Sequence, residues 1–227
     1  MFSRKKFEKY TADFMREDGE GSFLLLPGER RIAISAPHSV SQTRGGVKKH
    51  SEPQTGALAM MLHESTGCPV IVKTANFGDD ANYDTVSPYR DALSFYVRDN
   101  GIRYVLDLHQ LSPVRKTGVN VGTGNMKNVP DKDFFFTAVA SFVKLKIGPL
   151  VVDVPFSASK PETVSSHIAR ECGISGLQIE INSRLLMPVV RHVTDKETGA
   201  VLEKYDYSAC SSVLKALERI VTEMNRR

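Results

Sequence analysis

Arg103-Tyr104-Val105-Leu106-Asp107-Leu108-His109-Gln110 is the stretch on which the fold reading turns. Apolar, partly β-branched residues run into an Asp-x-His, and Gln110, Ser112 and Pro113 then break the pattern. An apolar run bounded by turn residues reads as a buried strand. Alternate residues of a strand share a face, so Asp107 and His109 lie on one side of it. Open α/β sheets carry their chemistry at the carboxyl ends of such strands. His109 is therefore a candidate metal ligand, with Asp107 placed to accept the other ring N–H and hold the tautomer. A strand-end histidine kept by a simple hydrogen bond fits the same pattern.

The flanking sequence alternates strands with helices. Residues 1–18 are charged, with Phe2, Phe7, Tyr10 and Phe14 at near-helical spacing, and predict a short helix docked on the body. Ser22 to Leu26 and Arg31 to Ala36 predict two strands, and Pro27-Gly28-Glu29-Arg30 between them reads as the turn of a hairpin. The second strand runs into Pro37-His38-Ser39, a second histidine at a strand end. Residues 39–51, rich in Gly, Lys and Ser, read as a loop. Pro53 suits a first helical turn, which puts Glu52 at a helix N-terminus where the dipole favours its charge.

Gly67 closes that helix, and Pro69 to Lys73 predicts another strand. The polar loop 76–90 is long enough to suggest function. A helix over Ser87 to Asn100 then feeds the central strand. Strands are expected at Gly118 to Gly124, Leu150 to Val154 and Leu177 to Asn182. Helices are expected at Asp131 to Lys146, Pro161 to Cys172 and Tyr207 to Met224, the first with Phe134, Phe135, Val139, Phe142 and Val143 as its core stripe. No Pro/Gly/Ser linker and no internal repeat divides residues 1–227. The expectation is one α/β domain with a mixed, mostly parallel central sheet and helices on both faces.

Composition narrows the function classes. The 227 residues carry a net charge of +4, with 41% hydrophobic and 25% charged content, which is ordinary for a soluble globular protein. Basic runs are short and scattered, so nucleic-acid binding is not expected. No apolar run approaches membrane-spanning length, and Met1 to Arg16 does not read as a signal peptide. Three widely spaced cysteines, Cys68, Cys172 and Cys210, form no C-x-x-C and suit a reducing, cytoplasmic setting. The absence of a G-x-S-x-G motif counts against an α/β-hydrolase serine enzyme. Gly118 to Gly124 has neither Walker nor dinucleotide spacing.

His38, Glu52 and His109 would make a catalytic zinc site, two imidazoles and a carboxylate with one position open to water. His50, two residues from Glu52, is a rival ligand. Gln178, Glu180 and Asn182 share one face of a strand otherwise rich in Leu and Ile. Buried polar groups there need partners. Either that face is a solvated sheet edge, or Glu180 is a site carboxylate able to move a proton. Arg44, Arg90, Arg115 and Arg184, in loops or at element ends, are candidates to read a substrate carboxylate. Arg44 and Arg115 are the preferred pair, and Asn82 and Tyr83 are candidate pocket residues. His63, His167 and His192 read as structural.

Ser35-Ala36-Pro37-His38-Ser39, Lys49-His50-Ser51-Glu52-Pro53-Gln54-Thr55-Gly56, Leu106-Asp107-Leu108-His109 and Gln178-Ile179-Glu180-Ile181-Asn182 occur in that order. Together they resemble the N-formylglutamate amidohydrolase family, over roughly residues 31–186. The family is akin in fold to zinc carboxypeptidases, so the resemblance implies a zinc-carboxypeptidase-like, phosphorylase/hydrolase-like fold. It also implies one Zn2+ per chain on His38, Glu52 and His109, with Glu180 as general base/acid. Carboxypeptidases present H-x-x-E, whereas fourteen positions separate His38 from Glu52 here.

The function expected is zinc-dependent hydrolysis of an amide bond in a small N-acyl amino acid-like or acidic substrate. Arg115 would join the metal in stabilising the oxyanion, and Arg44, Asn82, Arg90, Asn182 and Arg184 would bind substrate. The partner is a small molecule or short peptide with a carboxylate, not nucleic acid or membrane. Carboxypeptidase-like cleavage of a peptide or cell-wall fragment, or a non-catalytic binding domain on the same fold, are the alternatives.

Overall fold

The computed structural model describes residues 2–194 and 200–226. Helix α1 (Arg4–Arg16) is capped by the Ser3 hydroxyl and buries Phe7 and Phe14. Strands β1 (Phe23–Leu26) and β2 (Ile32–Ala36) follow, then a small antiparallel pair, β3 (Gln42–Arg44) and β4 (Val47–Lys49). Helix α2 (Pro53–Thr66) opens with Pro53 and closes on Gly67, whose φ of 70° is the left-handed turn that glycine takes without strain. Strand β5 (Val70–Lys73), helix α3 (Pro88–Asp99) and strand β6 (Tyr104–Leu111) come next.

The second half contributes β7 (Val119–Gly122), α4 (Lys132–Lys144), β8 (Leu150–Val152), α5 (Val164–Cys172) and β9 (Ser175–Asn182). A short helix α6 (Ser183–Leu186), an exposed hairpin of β10 (Val189–Thr194) and β11 (Val201–Asp206), and helix α7 (Ser208–Asn225) complete the order. No helix among the described residues is long and apolar enough to cross a membrane.

Seven strands form one sheet in the order β1-β5-β2-β6-β9-β7-β8. The four central strands β5, β2, β6 and β9 are parallel, β1 is antiparallel to them, and β7 and β8 run together in that opposite sense. Helices cover both faces. The larger core holds Phe7, Phe14, Leu58, Leu62, Phe134, Phe142, Leu217 and Ile220 against Ile34, Leu106, Leu108, Ile179 and Ile181. The smaller gathers Tyr89, Leu93, Val97, Val164 and Ile168 around Ala33, Ile71 and Val105. A side chain at Gly56 would meet the Phe14 ring at 2.6 Å, so the close approach of Phe14 to α2 requires glycine there.

Several expectations are corrected here. β1 and β2 do not form a hairpin: β5 lies between them and pairs with both, because a long-range register buries Val70, Ile71 and Val72 fully. Residues 42–49, expected as loop, contain the β3–β4 pair. Val143 is 61% exposed and Phe135 half-buried, so the buried stripe of α4 is Phe134, Ala138, Ser141 and Phe142. The antiparallel β10–β11 pair has no counterpart among the expected strands.

Candidate metal centre and active-site cleft

The chain leaves β2 through α2 to β5 on one side and returns through α3 to β6 on the other. Strands β2 and β6 thus flank the point where the sheet's winding reverses, and the crevice beyond their carboxyl ends is where such sheets bind ligands. On β6, Val105 packs under α3 and α5, while Asp107 and His109 continue the same face toward that crevice. His38 lies just past the end of β2, and Glu52 is the N-cap residue of α2. His109 pairs in register with Glu180 on β9.

The three expected ligands converge. His38, Glu52 and His109 form a possible cation-holding group. His38 Nδ1 and His109 Nδ1 are 3.2 Å apart, and the Glu52 carboxylate lies 3.3 Å from the former and 3.6 Å from the latter. Ligand atoms at zinc bond lengths in tetrahedral array are about 3.3 Å apart. The other ring nitrogens face carboxylates: His38 Nε2 is 3.0 Å from Asp80 and His109 Nε2 is 3.0 Å from Asp107. Donation to those carboxylates fixes both tautomers and leaves two Nδ1 lone pairs directed at each other and at an anion. Either a proton or a metal ion relieves such apposed lone pairs, and two imidazoles with one carboxylate are a donor set that fits a divalent metal.

The supports of the triad are themselves held. Asp107 accepts from Ser35 Oγ at 2.8 Å, and Ser35 Oγ lies 2.9 Å from the buried Tyr89 hydroxyl. That hydroxyl also accepts from Ala36 N–H and donates to Ile71 O. Asp80 is held by Arg44 and by the backbone N–H of Asn82. Glu52 Oε2 accepts from the backbone N–H of Gln110 at 2.9 Å.

Electrostatics express the same arrangement. Burial opposes charge on His38, but the Glu52 and Asp80 carboxylates outweigh it and raise its pKa to about 9. Burial likewise opposes charge on His109, and Asp107 and then Glu52 raise it well above the usual imidazole value. Against its own burial, Glu52 is drawn down to about 2 by the two imidazoles. Glu180 goes the other way: burial pushes its carboxyl up to about 7. Its Oε1 accepts from Gln178 Nε2 at 2.9 Å.

A cleft of about 450 Å³ opens over this group. His38, Glu52, His109 and Glu180 line it, with Arg44, Asn82 and Tyr83. Arg44 is 4.9 Å over the Tyr83 ring. Asn82 bridges the walls, accepting from Val164 N–H at 2.7 Å and lying 3.5 Å from both His109 and Gln178.

The remaining expected residues fall outside the lining. Arg90 is buried, and its guanidinium donates to the carbonyls of Ala81, Asp84, Thr85 and Glu162, so it ties loop 81–85 to the segment before α5. Asn182 donates to the carbonyls of Ser112, Arg115 and Thr117 and caps α6, and Arg184 also donates to Arg115 O. Both organise loop 112–117. Arg115 is exposed with its guanidinium 5.0 Å over the Phe156 ring, so that ring, not the arginine, meets the cleft. His50 is exposed and stands apart from the triad. Sequence reasoning missed Asp80, although its place in a long polar loop was a usable signal. It also missed Lys49, Lys160 and Gln42 on the cleft wall.

The architecture is thus that of an α/β domain with a His-Glu-His group that could hold a cation at the switch point of its sheet. Among solved structures it has the fold of N-formylglutamate amidohydrolase from Ralstonia eutropha JMP134, at 15% identity over 91% of this chain and 98% of that one, with a TM-score of 0.57. A bacteriophage poly-gamma-glutamate hydrolase is similar at 15% identity, 92% of each chain and a TM-score of 0.58. A gene product of Agrobacterium tumefaciens is similar at 12% identity, 93% and 97% coverage and a TM-score of 0.57. No family model and no curated protein matches the sequence.

Proposed function

We propose that the protein is a zinc-dependent hydrolase of amide bonds in small N-acyl amino acid-like or acidic substrates. The observation that carries this reading is the convergence of two imidazole Nδ1 atoms and one carboxylate at metal-ligand separation, each imidazole backed by its own aspartate. His38, Glu52 and His109 would hold the ion. A bound zinc supplies Lewis-acid polarisation of a carbonyl and acidifies water toward neutrality.

The rest of the chemistry belongs to the chain. Glu180, register partner of His109 and raised by burial to about 7, is matched to take a proton from the attacking water and deliver it to the leaving amine. Gln178 orients that carboxylate through its 2.9 Å hydrogen bond. Arg44, Lys49 and Lys160 are among the residues lining the cleft, and their charge favours a substrate bearing carboxylate. Arg44 is held in place by Asp80. The amidohydrolase and the poly-gamma-glutamate hydrolase of the same fold act on acidic amides by name, which supports the substrate class.

Elemental analysis of the purified protein tests the metal. About one zinc per chain is expected, lost in His38→Ala, Glu52→Ala and His109→Ala and kept in His50→Ala. Zinc-loaded protein is then assayed on N-formyl- and N-acetyl-L-glutamate and on glutamyl peptides, with Glu180→Gln as the inactive control. Failure to take up zinc, or equal turnover in Glu180→Gln, refutes the reading.

A further inference from the structure

The Arg44 guanidinium is committed to Asp80, whereas another part of the cleft offers donors that the chain itself leaves unused. Residues 155–160, between β8 and α5, line the cleft. Asn120 anchors this segment, donating to Phe156 O at 2.9 Å and accepting from Phe156 N–H at 3.2 Å. It pairs in register with Glu180, which pairs with His109, so the three stand in one row across β7, β9 and β6. The segment therefore starts beside the proposed general base.

Successive carbonyls of the segment face the body of the domain. Besides Phe156 O, Ser157 O accepts from Gly124 N–H at 2.6 Å, and Ala158 O accepts from Asn128 Nδ2 at 2.8 Å and Thr163 Oγ1 at 3.1 Å. The C=O and N–H of a trans peptide point in opposite directions. The peptides formed by these three carbonyls are trans, so the N–H groups of Ser157, Ala158 and Ser159 turn away from the body, and all three residues line the cleft. None of these N–H groups has an acceptor among the described residues. Ala158 has a φ of 56°, in the left-handed region, and its two neighbours do not. Such an alternation gathers consecutive N–H groups into a concave anion-binding nest. An alanine adopts that conformation at a steric cost, and such costs cluster at ligand sites. Lys160, next along the cleft, is in no ion pair among the described residues.

We propose that the backbone N–H groups of Ser157, Ala158 and Ser159, flanked by Lys160, form a subsite for a substrate carboxylate. The inference rests on the reading that the cleft holds an acidic substrate, and it deepens that reading by naming the groups that take the charge. Asn120 and Asn128 are positioning residues: by holding the carbonyls against the body they keep the N–H groups turned outward.

The probes are glutarate, a dicarboxylate with no amide to cleave, and glutaramide, its neutral counterpart. Each is titrated into isotope-labelled protein, metal-free and zinc-loaded, and backbone amides are followed by NMR. With glutarate the amide protons of Ser157, Ala158 and Ser159 are expected to move downfield in both forms, and with glutaramide to stay in place. Lys160→Gln should weaken binding and keep that pattern. Asn120→Ala should lower glutarate affinity about tenfold or more, the scale of a lost hydrogen bond to a charged group. Should it not fold, Asn128→Ala replaces it.

Shifts confined to the surroundings of Arg44 or Lys49, an equal response to glutaramide, affinity unchanged by the asparagine substitution, or binding of neither probe overturns the inference. The expected pattern in protein that takes up no zinc and hydrolyses no amide upholds the subsite. That outcome overturns the hydrolase reading instead.

Discussion

Asp107→Asn is the perturbation that best isolates what the carboxylate behind His109 contributes to the proposed metal site. In the native arrangement both carboxylate oxygens are engaged, Oδ2 with His109 Nε2 at 3.0 Å and Oδ1 with Ser35 Oγ at 2.8 Å. An asparagine has one oxygen and one NH2 for these two places. If its oxygen stays on Ser35, the NH2 meets His109 Nε2, and the ring proton must move to Nδ1, the nitrogen that faces the metal site. If the amide turns, the tautomer survives and only the carboxylate's charge is lost. Loss of such a partner costs 10–100-fold in metal affinity, about 1.4–2.8 kcal/mol, with the turned amide at the low end and the shifted tautomer at the high end. Zinc affinity is read by competition with a chromophoric chelator at fixed pH, beside urea unfolding of the metal-free protein to confirm the fold. A folded Asp107→Asn protein that binds zinc within about twofold of wild type would refute the reasoning.

Three further outcomes follow from the geometry. Zinc uptake should release protons and weaken as pH falls below about 9, since His38 gains its proton there and a protonated imidazole cannot bind metal; calorimetry in buffers of different ionisation enthalpy counts those protons. Glu180, raised to about 7, favours the metal-free fold fully below the ordinary carboxyl value and withdraws that support as pH rises through 7. Glu180→Gln should therefore stabilise the metal-free protein relative to wild type at pH 8.5 but not at pH 4.5, by on the order of 1–3 kcal/mol in urea titrations, and an equal effect at both would count against the burial. Arg90→Ala should destabilise by about 2–4 kcal/mol with Arg90→Lys a poor rescue, because four carbonyls lose a forked donor; urea midpoints within error of wild type would show that those bonds are dispensable.

Much of the site was legible because its residues obey local rules. Asp107 and His109 stand two apart on an apolar strand, so their common face is a property of the strand and needs no tertiary contact. Pro53 and the cap position of Glu52 likewise mark the start of α2 in sequence alone. Arg90 shows the opposite case. An arginine at the edge of a polar loop looks like a substrate ligand, yet its donors are directed at three carbonyls of its own loop, Ala81, Asp84 and Thr85, and at Glu162 O, which the packing of α3 beside α5 brings near. Asn182 followed the same course: its face on β9 was correctly placed, but the partner that meets it is loop 112–117. In both cases a polar side chain can serve backbone or ligand equally well until its surroundings are known.

The sequence by itself determined the alternation of strands and helices, the strand ends that carry His38 and His109, and the helix start that carries Glu52, since periodicity, turn residues and caps are local. The tertiary structure alone decided that β5 enters between β1 and β2, that residues 42–49 form a cleft wall, and that Asp80 stands behind His38. Those are choices among non-local partners. They are made by burial of apolar area and by pairing of buried polar groups across the whole chain, neither of which is encoded at any one position.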